Sequence, residues 1–369
     1  MTIPAASKNN FPKARFGHSY LFTTMETIFK WSTSEIECEV LQGDASDRSY
    51  FRVTQRNSKG LLKNKPQKSL QSLIVMQLEK PVLEMEIDFI QILKFLRSLD
   101  LPAPELFYYD VPKGLLFLED CGTMTLKDQL HEFPQGKTRF YRQAIELLVR
   151  MQNQATGSID STCPAYHRKF DVKKLMWELN FMLDYYVDEF CDSPLENSAR
   201  KELSEVFTSL CESLAAEKLY FTHRDYHSRN LMFDQGRLVL IDFQDARMGP
   251  CQYDLVSLLK DSYVKIEDAL VEELIDYYIL LKEKEEGEKV DRESFDRIFG
   301  GMSIQRNLKA VGTFAYQSVK KNNNRYAGFI APTLSYVRKA LRRQFKDTSL
   351  QKLLLKHIPG LSRVEELDL

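Results

Sequence analysis

The character of the chain changes near Cys121, and this change restricts the possible folds more than any other feature of the sequence. Before it, short apolar runs of strand length alternate with turn residues; after it, long stretches place apolar residues at helical spacing. The order of the runs predicts a β-β-β-α-β-β arrangement followed by a mostly helical region. We therefore expect an α+β protein with a small β-rich lobe and a larger helical lobe.

The individual elements follow from the same spacing. Predicted strands cover 36–42, 50–53, 73–78, 105–111 and 114–120, with a predicted helix at 84–99. Further predicted helices cover 138–155, 172–190, 198–216, 263–285 and 333–356, interrupted by the strand-like segments LYFTHRD and RLVLIDF. Residues 1–24 show no clear periodicity, and we expect them to form a disordered tail.

Charge and composition exclude several classes of function. Lys and Arg total 51 while Asp and Glu total 52, so no sequence-wide basic field is present to hold nucleic acid or an anionic membrane. No apolar run reaches the length of about 18 residues that a spanning helix needs, and the N-terminus lacks an apolar signal segment. The six cysteines are scattered without metal-ligand spacing. We expect a cytoplasmic protein that binds neither nucleic acid nor membrane.

The richest polar segment reads HRDYHSRN and runs from His223 to Asn230, between the apolar runs LYFT and LMF. Asp225 precedes Asn230 by five residues, and Asp242 follows the next apolar run, LVLI. Transfer of a phosphoryl group from ATP needs a carboxylate that orients the attacking hydroxyl, and oxygen ligands for Mg²⁺. The spacing therefore predicts that Asp225 is the catalytic base and that Asn230 and Asp242 hold the metal.

The HRDxxxxN…D pattern resembles the catalytic and metal-binding loops of protein kinases. HRDYHSRNLM followed by IDFQDA is more specific and resembles the aminoglycoside phosphotransferase superfamily, in which a His stands two residues after the base where protein kinases usually carry Lys. The blocks GDASDRSYFRV, LFLEDCG, FQDARMGPCQYDL and MSIQRNLKAVGTFA are similar to those of bacterial anomeric N-acetylmuramate and N-acetylglucosamine kinases. The resemblance covers about residues 36–345.

This resemblance implies a protein-kinase-like two-lobe fold, with a nucleotide-binding lobe at 25–119 and a catalytic, acceptor-binding lobe at 120–369. It implies an ATP- and Mg²⁺-dependent kinase that phosphorylates the anomeric hydroxyl of N-acetylmuramate, N-acetylglucosamine or both, in the recycling of cell-wall sugars. The partners are then ATP and a small-molecule acceptor, an amino sugar. Gln244 stands where protein kinases carry the Gly of DFG, which argues against a metal loop controlled by phosphorylation.

Two segments are candidates for binding the nucleotide. The turn Gly43-Asp44-Ala45-Ser46 is rich in small residues, so its backbone N–H groups can approach phosphates closely. In LFLEDCG, which would connect the lobes, the carbonyl of Glu119 and the N–H of Cys121 are candidates to bond the adenine edge.

The sequence departs from the kinase pattern on the third strand. In LIVMQLE, Met76 or Gln77 occupies the position where a kinase-like fold normally has a phosphate-binding Lys. Arg48 or Arg52, from the preceding hairpin, is expected to supply the charge, because a guanidinium grips phosphate oxygens with two donors.

Residues next to the catalytic loop are the candidates for binding the acceptor. His227 lies in the loop, Gln244 and Asp245 follow the metal ligand, and Arg306 lies in a later helix. The many hydroxyl groups of a sugar suit such side chains. The lactyl carboxylate of N-acetylmuramate needs a cation, for which Arg306 is the candidate.

Two other interpretations stay open. One is a kinase of a different alcohol, such as an aminoglycoside, a choline-like compound or another sugar; the near-neutral charge balance disfavours a polycationic acceptor. The other is a pseudokinase that binds nucleotide without catalysis, which the missing strand Lys suggests. The intact set of Asp225, Asn230 and Asp242 opposes it, because a binding-only protein needs no proton acceptor.

Overall fold

The computed structural model describes residues 18–32, 36–41, 48–55, 71–81 and 87–362. Backbone packing divides the chain into two compact units. The first consists of Met1–Ile90 and Pro104–Cys121, and the second of Gln91–Ala103 and Gly122–Leu369. The predicted boundary between 119 and 120 stays a prediction, and the packing differs from it by assigning the segment 91–103 to the second unit.

The first unit contains a five-stranded antiparallel sheet in the order β1-β2-β3-β5-β4. Its strands are β1 (Ile36–Leu41), β2 (Ser49–Gln55), β3 (Ser72–Gln77), β4 (Leu106–Asp110) and β5 (Leu115–Glu119), and α2 (Asp88–Ser98) comes between β3 and β4 in the chain. At the last hairpin Gly114 has a φ of 63°, a conformation that suits glycine, and its N–H donates to Val111. The predicted β-β-β-α-β-β order is confirmed.

One helix that packs on this sheet is not among the predicted elements. In α1 (His18–Phe29), Leu21 and Met25 are buried in one apolar cluster with the sheet residues Phe51 and Val75. Residues 18–24 of the expected disordered tail are therefore helical, while residues 1–17 lie outside the described residues. A helix this short gains most of its stability from the surface that it covers, which the local sequence does not reveal.

The second unit is mostly helical. Its helices are α3 (Leu126–Glu132), α4 (Lys137–Ser158), α5 (Val172–Met182), α6 (Asn197–Ala215), α7 (Gln252–Leu259), α8 (Asp268–Glu286), α9 (Arg292–Val319), α10 (Ile330–Gln344) and α11 (Ser349–His357). Two antiparallel strand pairs join β6 (Leu219–Thr222) to β9 (Arg247–Pro250) and β7 (Leu231–Asp234) to β8 (Arg237–Leu240). α9 is buried over most of its length and packs against α5, α7 and α10. The predicted α+β fold, with one β-rich and one helical part, is confirmed.

Two predicted helices differ from the observed ones. The predicted helix 172–190 is α-helical only to Met182 and continues as a π-helix over Leu183–Phe190. The predicted helix 333–356 divides into α10 and α11, because Asp347 has a φ of 62° and Thr348 caps α11 by accepting a hydrogen bond from the N–H of Gln351. In the part of the chain that the structure describes, no helix combines the length and apolar character that crossing a bilayer requires.

Candidate active site

A buried carboxylate holds the start of the loop that carries Asp225. The backbone N–H groups of His223 and Arg224 donate to the two oxygens of Asp254 at 2.7 and 3.0 Å. Asp254 lies on α7 and is fully buried; burial raises its pKa to about 7, although both donors oppose this. Arg224 has a φ of 80°, which is strained for a residue with a side chain, so these two bonds stabilise an unfavourable turn directly before Asp225.

A second buried carboxylate holds the loop beyond Asp225. Asp261 accepts hydrogen bonds from the backbone N–H of Ser228 at 2.9 Å and from its hydroxyl at 2.5 Å. The other oxygen of Asp261 accepts from the N–H of Tyr263 at 2.9 Å. The loop is therefore fixed on both sides of Asp225, which limits the positions that its carboxylate can reach.

The three residues on which the sequence prediction rests lie together. The side-chain amide of Asn230 donates to the backbone oxygen of Asp225 at 3.0 Å and to Oδ2 of Asp242 at 3.3 Å. Asp242 follows β8 with a φ of 64°, and Gln244 donates to its Oδ1 at 2.7 Å. The structure thus brings together the loops on the two sides of the β7–β8 hairpin. The roles of the three residues stay predictions.

Asn230 and Asp242 fit a divalent metal ion. Their side chains are in hydrogen-bond contact and both carry hard oxygen atoms, which Mg²⁺ prefers. Nucleotide phosphates and water usually complete the coordination of an ion held by so few protein groups. Among the described residues, no cluster of three or more His, Cys, Asp or Glu side chains offers an alternative metal site.

Asp225 is ionised and partly accessible. Its side chain is 24% exposed, and Nζ of Lys309 on α9 lies 3.2 Å from its Oδ1. Burial alone would raise the pKa of Asp225, but Lys309, Arg224 and the neighbouring cations outweigh burial and hold that pKa well below its usual range. The carboxylate is therefore charged at neutral pH and can accept a hydrogen bond from a hydroxyl group.

His227, a predicted acceptor contact, packs within the loop region. Its ring meets the Tyr263 ring edge-on with 5.2 Å between centroids, and Nε2 lies 3.5 Å from Nδ2 of Asn230. Burial lowers the pKa of His227 while Asp261 opposes this, so the ring is neutral near pH 7.

The other three predicted acceptor residues, Gln244, Asp245 and Arg306, each contact a different part of the second unit. Gln244 contacts the predicted metal ligand, and Asp245 pairs with Arg224 at 3.1 Å. Arg306 lies on α9 as predicted, is only 4% exposed and donates to the hydroxyl of Ser257 at 3.1 Å. The structure therefore places Gln244 and Asp245 beside the loop and Arg306 in the helical interior. Their part in binding an acceptor stays a prediction.

Of the predicted nucleotide residues, Gly43, Asp44, Ala45 and Ser46 lie outside the described residues. Arg52 on β2 forms a two-point ion pair with Asp120, at 2.8 and 3.0 Å. The guanidinium of Arg48 lies 5.8 Å from the centre of the Phe89 ring. Both arginines stay candidates for the phosphates.

The predicted adenine-binding residues lie at the end of β5. Glu119 is the last residue of that strand, and the thiol of the buried Cys121 is 3.8 Å from its carbonyl oxygen. On β3, which pairs with β5, Met76 and Gln77 are buried. The position expected for a phosphate-binding Lys is thus filled by interior side chains.

The residues predicted for the site did not include Asp254, Asp261 or Lys309. Asp254 lies in FQDARMGPCQYDL and Lys309 lies in MSIQRNLKAVGTFA, two of the blocks that carry the family resemblance. Their place in these blocks is the feature of the sequence that could have identified them. Asp261 lies in neither block. Each contacts its partner in the loop from at least 30 residues away in sequence, so the loop itself does not indicate them.

Solved structures with known activities share this fold. The choline kinase of Cryptosporidium parvum is 12% identical with a TM-score of 0.61, covering 94% of this chain and 99% of that one. The ethanolamine kinase of Plasmodium vivax is 12% identical with a TM-score of 0.59, covering 89% and 91%. Identities this low concern the fold alone. The class that they define is therefore one of fold, the protein-kinase-like fold.

A family model described as the phosphotransferase enzyme family (APH) matches residues 37–290, and the chain belongs to this family. The N-acetylmuramate/N-acetylglucosamine kinase of Neisseria meningitidis is 31% identical over 257 residues, which is 69% of this chain and 75% of the relative. The kinase of the same name from Pseudomonas aeruginosa is 28% identical over 313 residues, 84% of this chain and 86% of the relative. The predicted family is confirmed, and with it the use of ATP, a divalent metal and a hydroxyl acceptor.

Proposed function

We propose that this protein phosphorylates the anomeric hydroxyl of N-acetylmuramate, N-acetylglucosamine or both, with ATP and Mg²⁺. The observation that carries the proposal is the convergence of Asp225, Asn230 and Asp242 in a chain whose relatives over most of its length are named kinases of these sugars. The reaction would return cell-wall amino sugars to metabolism. A cytoplasmic location, where ATP is available, stays a prediction.

In the proposed mechanism, Asp225 accepts a hydrogen bond from the anomeric hydroxyl, orients its oxygen towards the γ-phosphorus and takes its proton as transfer proceeds. Asn230 and Asp242 would hold Mg²⁺, which when bound would neutralise charge on the phosphates. No covalent enzyme intermediate is needed. Catalysis rests on positioning, and the bonds from Asp254 and Asp261 to the loop support it by fixing the backbone around the base.

We propose that the nucleotide phosphates bind at the turn 43–46, and that the adenine edge bonds to the carbonyl of Glu119 and the N–H of Cys121. Either Arg48 or Arg52 supplies the charge that the absent strand Lys would give. Arg52 would have to share its guanidinium with Asp120, to which it is already bonded twice.

We propose that His227, Gln244 and Asp245 form hydrogen bonds with the hydroxyl groups of the acceptor sugar. Arg306 would need to leave Ser257 to reach a lactyl carboxylate, because its side chain is almost fully buried.

We propose amino sugars rather than other alcohols as acceptors because the relatives named as amino-sugar kinases are more similar to this chain in sequence. The choline, ethanolamine and aminoglycoside kinases share the fold at 12–13% identity, whereas the relatives at 25–31% are named amino-sugar kinases. The intact base and metal residues and the membership of the phosphotransferase family oppose a pseudokinase.

The proposal is tested with purified protein, ATP and Mg²⁺. ADP release is measured with N-acetylmuramate, N-acetylglucosamine, glucose, choline and an aminoglycoside, and phosphorus NMR locates the new phosphate. We expect the highest kcat/KM with an amino sugar and a phosphate on C1. A 1-deoxy amino sugar, which lacks only the anomeric hydroxyl, should be inert. Faster turnover of a non-sugar alcohol, or a phosphate on C6, would contradict the proposal.

A further inference from the structure

The catalytic loop lacks the cation that protein kinases keep beside their base. In phosphoryl transfer, charge spreads over the oxygens of the transferring group, and a positioned cation stabilises it. Protein kinases usually carry a Lys two residues after the base, and here that position is His227, which carries no permanent charge. Its ring packs against Tyr263 and Asn230. A cation beside the base therefore has to come from a position other than 227.

Two arginines of the loop and one arginine on α9 have other partners. Arg224 pairs with Asp245 at 3.1 Å and lies 3.7 Å from Glu178. Arg229 lies 4.6 Å from the centre of the Tyr263 ring, and Arg306 is buried and bonded to Ser257. The charges of Arg224 and Arg306 act on Asp225, but these guanidinium groups bond to Asp245 and Ser257.

Lys309 differs from them because its ammonium is directed at the base. Nζ lies 3.2 Å from Oδ1 of Asp225, and within the described part of the chain this is the one ion pair that Lys309 forms. Its side chain is only 15% exposed, and burying an ammonium is costly unless it meets a counter-charge. Its neighbours Leu308 and Val311 are fully buried, so α9 presents the amine from a packed helix rather than from a mobile surface.

We propose that Lys309 supplies the missing cation of the transfer step. Before transfer it holds Oδ1 of Asp225, which leaves Oδ2 for the acceptor hydroxyl. As the acceptor oxygen bonds to the γ-phosphorus, the bond from that phosphorus to the bridging oxygen breaks and ADP leaves with its electron pair. The hydroxyl proton passes to Asp225, which loses its charge. The ion pair then weakens, and the ammonium donates to an oxygen of the transferred phosphoryl group.

This role differs from binding the lactyl carboxylate of N-acetylmuramate. The lactyl group is attached to C3 of the sugar, two ring carbons away from the anomeric carbon C1. Lys309 instead contacts Asp225, which in the proposed mechanism binds the anomeric hydroxyl. The inference rests on the proposed role of Asp225 as the base. It applies to any hydroxyl acceptor that the wild-type protein uses.

The test compares Lys309→Ala with wild type, using the best acceptor of the wild-type enzyme. We expect kcat to fall about 100-fold or more, with the KM values for ATP and acceptor changed by no more than about threefold. Methylammonium, added to the alanine variant, should restore kcat at least about tenfold in a saturable manner. A residue with a purely structural role would not respond to a small amine.

The matched control is Lys320→Ala. Lys320 follows α9 and pairs with Glu189 at 2.8 Å on the surface, so this variant should keep wild-type kcat and show no response to methylammonium. Thermal unfolding and ATP binding verify that the variants are folded. If Lys309→Ala does not fold, Lys309→Gln, which keeps a similar length without the charge, should show the same fall in kcat.

Three results would overturn the inference. The first is a kcat within about threefold of wild type in a folded Lys309 variant. The second is a raised KM for N-acetylmuramate alone, with kcat unchanged, since that would make Lys309 a carboxylate-binding residue. The third is a folded alanine variant that no amine rescues. If wild type phosphorylates a different alcohol, the proposed substrate fails, but the Lys309 test proceeds with that alcohol.

Discussion

Lys260 allows the energetics of this fold to be tested through a single buried charge. It follows α7, is 8% exposed, and lines a cavity of about 50 Å³ together with residues of α8, α9 and α10. Its ammonium lies 5.7 Å from the centre of the Tyr336 ring. Burial lowers the pKa of Lys260 from 10.5 to about 8, although Asp268 opposes the shift.

The size of the effect follows from this pKa. One pKa unit corresponds to about 1.36 kcal/mol, so the charged Lys260 destabilises the folded state by ~3 kcal/mol at neutral pH. The folded pKa lies below the unfolded one, so the folded protein binds fewer protons between about pH 8 and 10.5. The contribution of Lys260 to the free energy of unfolding therefore rises with pH through that window, and the full penalty is present below pH 8.

Lys260→Met removes the charge and keeps most of the apolar side chain. We expect the free energy of unfolding in urea to increase by about 2–3 kcal/mol at pH 7, and this gain to shrink as the pH approaches 10.5. Lys339→Met is the matched control, since Lys339 lines the same cavity but pairs with Asp268 at 2.9 Å, and it should give no gain. Equal or lower stability of Lys260→Met at pH 7 would refute the reasoning.

Three further predictions concern the site and the sheet. Asp254→Asn should lower kcat at least about tenfold, because the two ends of an amide cannot both accept hydrogen bonds from the backbone N–H groups of His223 and Arg224. An unchanged kcat would mean that these two hydrogen bonds do not position the base. Arg52→Met should reduce the free energy of unfolding by about 2 kcal/mol, measured in urea, because Asp120, whose side chain is only 7% exposed, loses its two-point ion pair. An unchanged free energy of unfolding would show that this ion pair does not stabilise the fold. Chelation of divalent metal should abolish ADP release, and Mg²⁺ should restore it less effectively in Asp242→Asn than in wild type; equal restoration would remove Asp242 from the metal site.

The sequence predicted those parts of the fold that depend on local spacing. The five strands lie within a few residues of their predicted positions, because alternating apolar residues and the turn ending at Gly114 mark them directly. α1 escaped prediction since its apolar face has meaning only against the sheet. The break at Asp347 was not predicted either, because the apolar spacing of 333–356 continues through it while this one residue adopts a left-handed conformation.

The candidate site shows the same division. Asp225, Asn230 and Asp242 were predicted because one short stretch of sequence carries all three with their spacing. Lys309 was not predicted, although it contacts Asp225, because 84 residues separate them and only the packing of α9 brings them together. Local sequence thus predicted the groups to which we assign the chemistry, whereas the groups that contact them from α7 and α9 depend on tertiary structure.

Single-turnover phosphoryl transfer in Asp225→Asn tests the central claim most directly. The substitution keeps the size of the side chain and removes its ability to take a proton. We predict that transfer to the best acceptor slows by several orders of magnitude while ATP binding stays near the wild-type level. Transfer at the wild-type rate in the folded variant would contradict the assignment of Asp225, and with it the proposed mechanism.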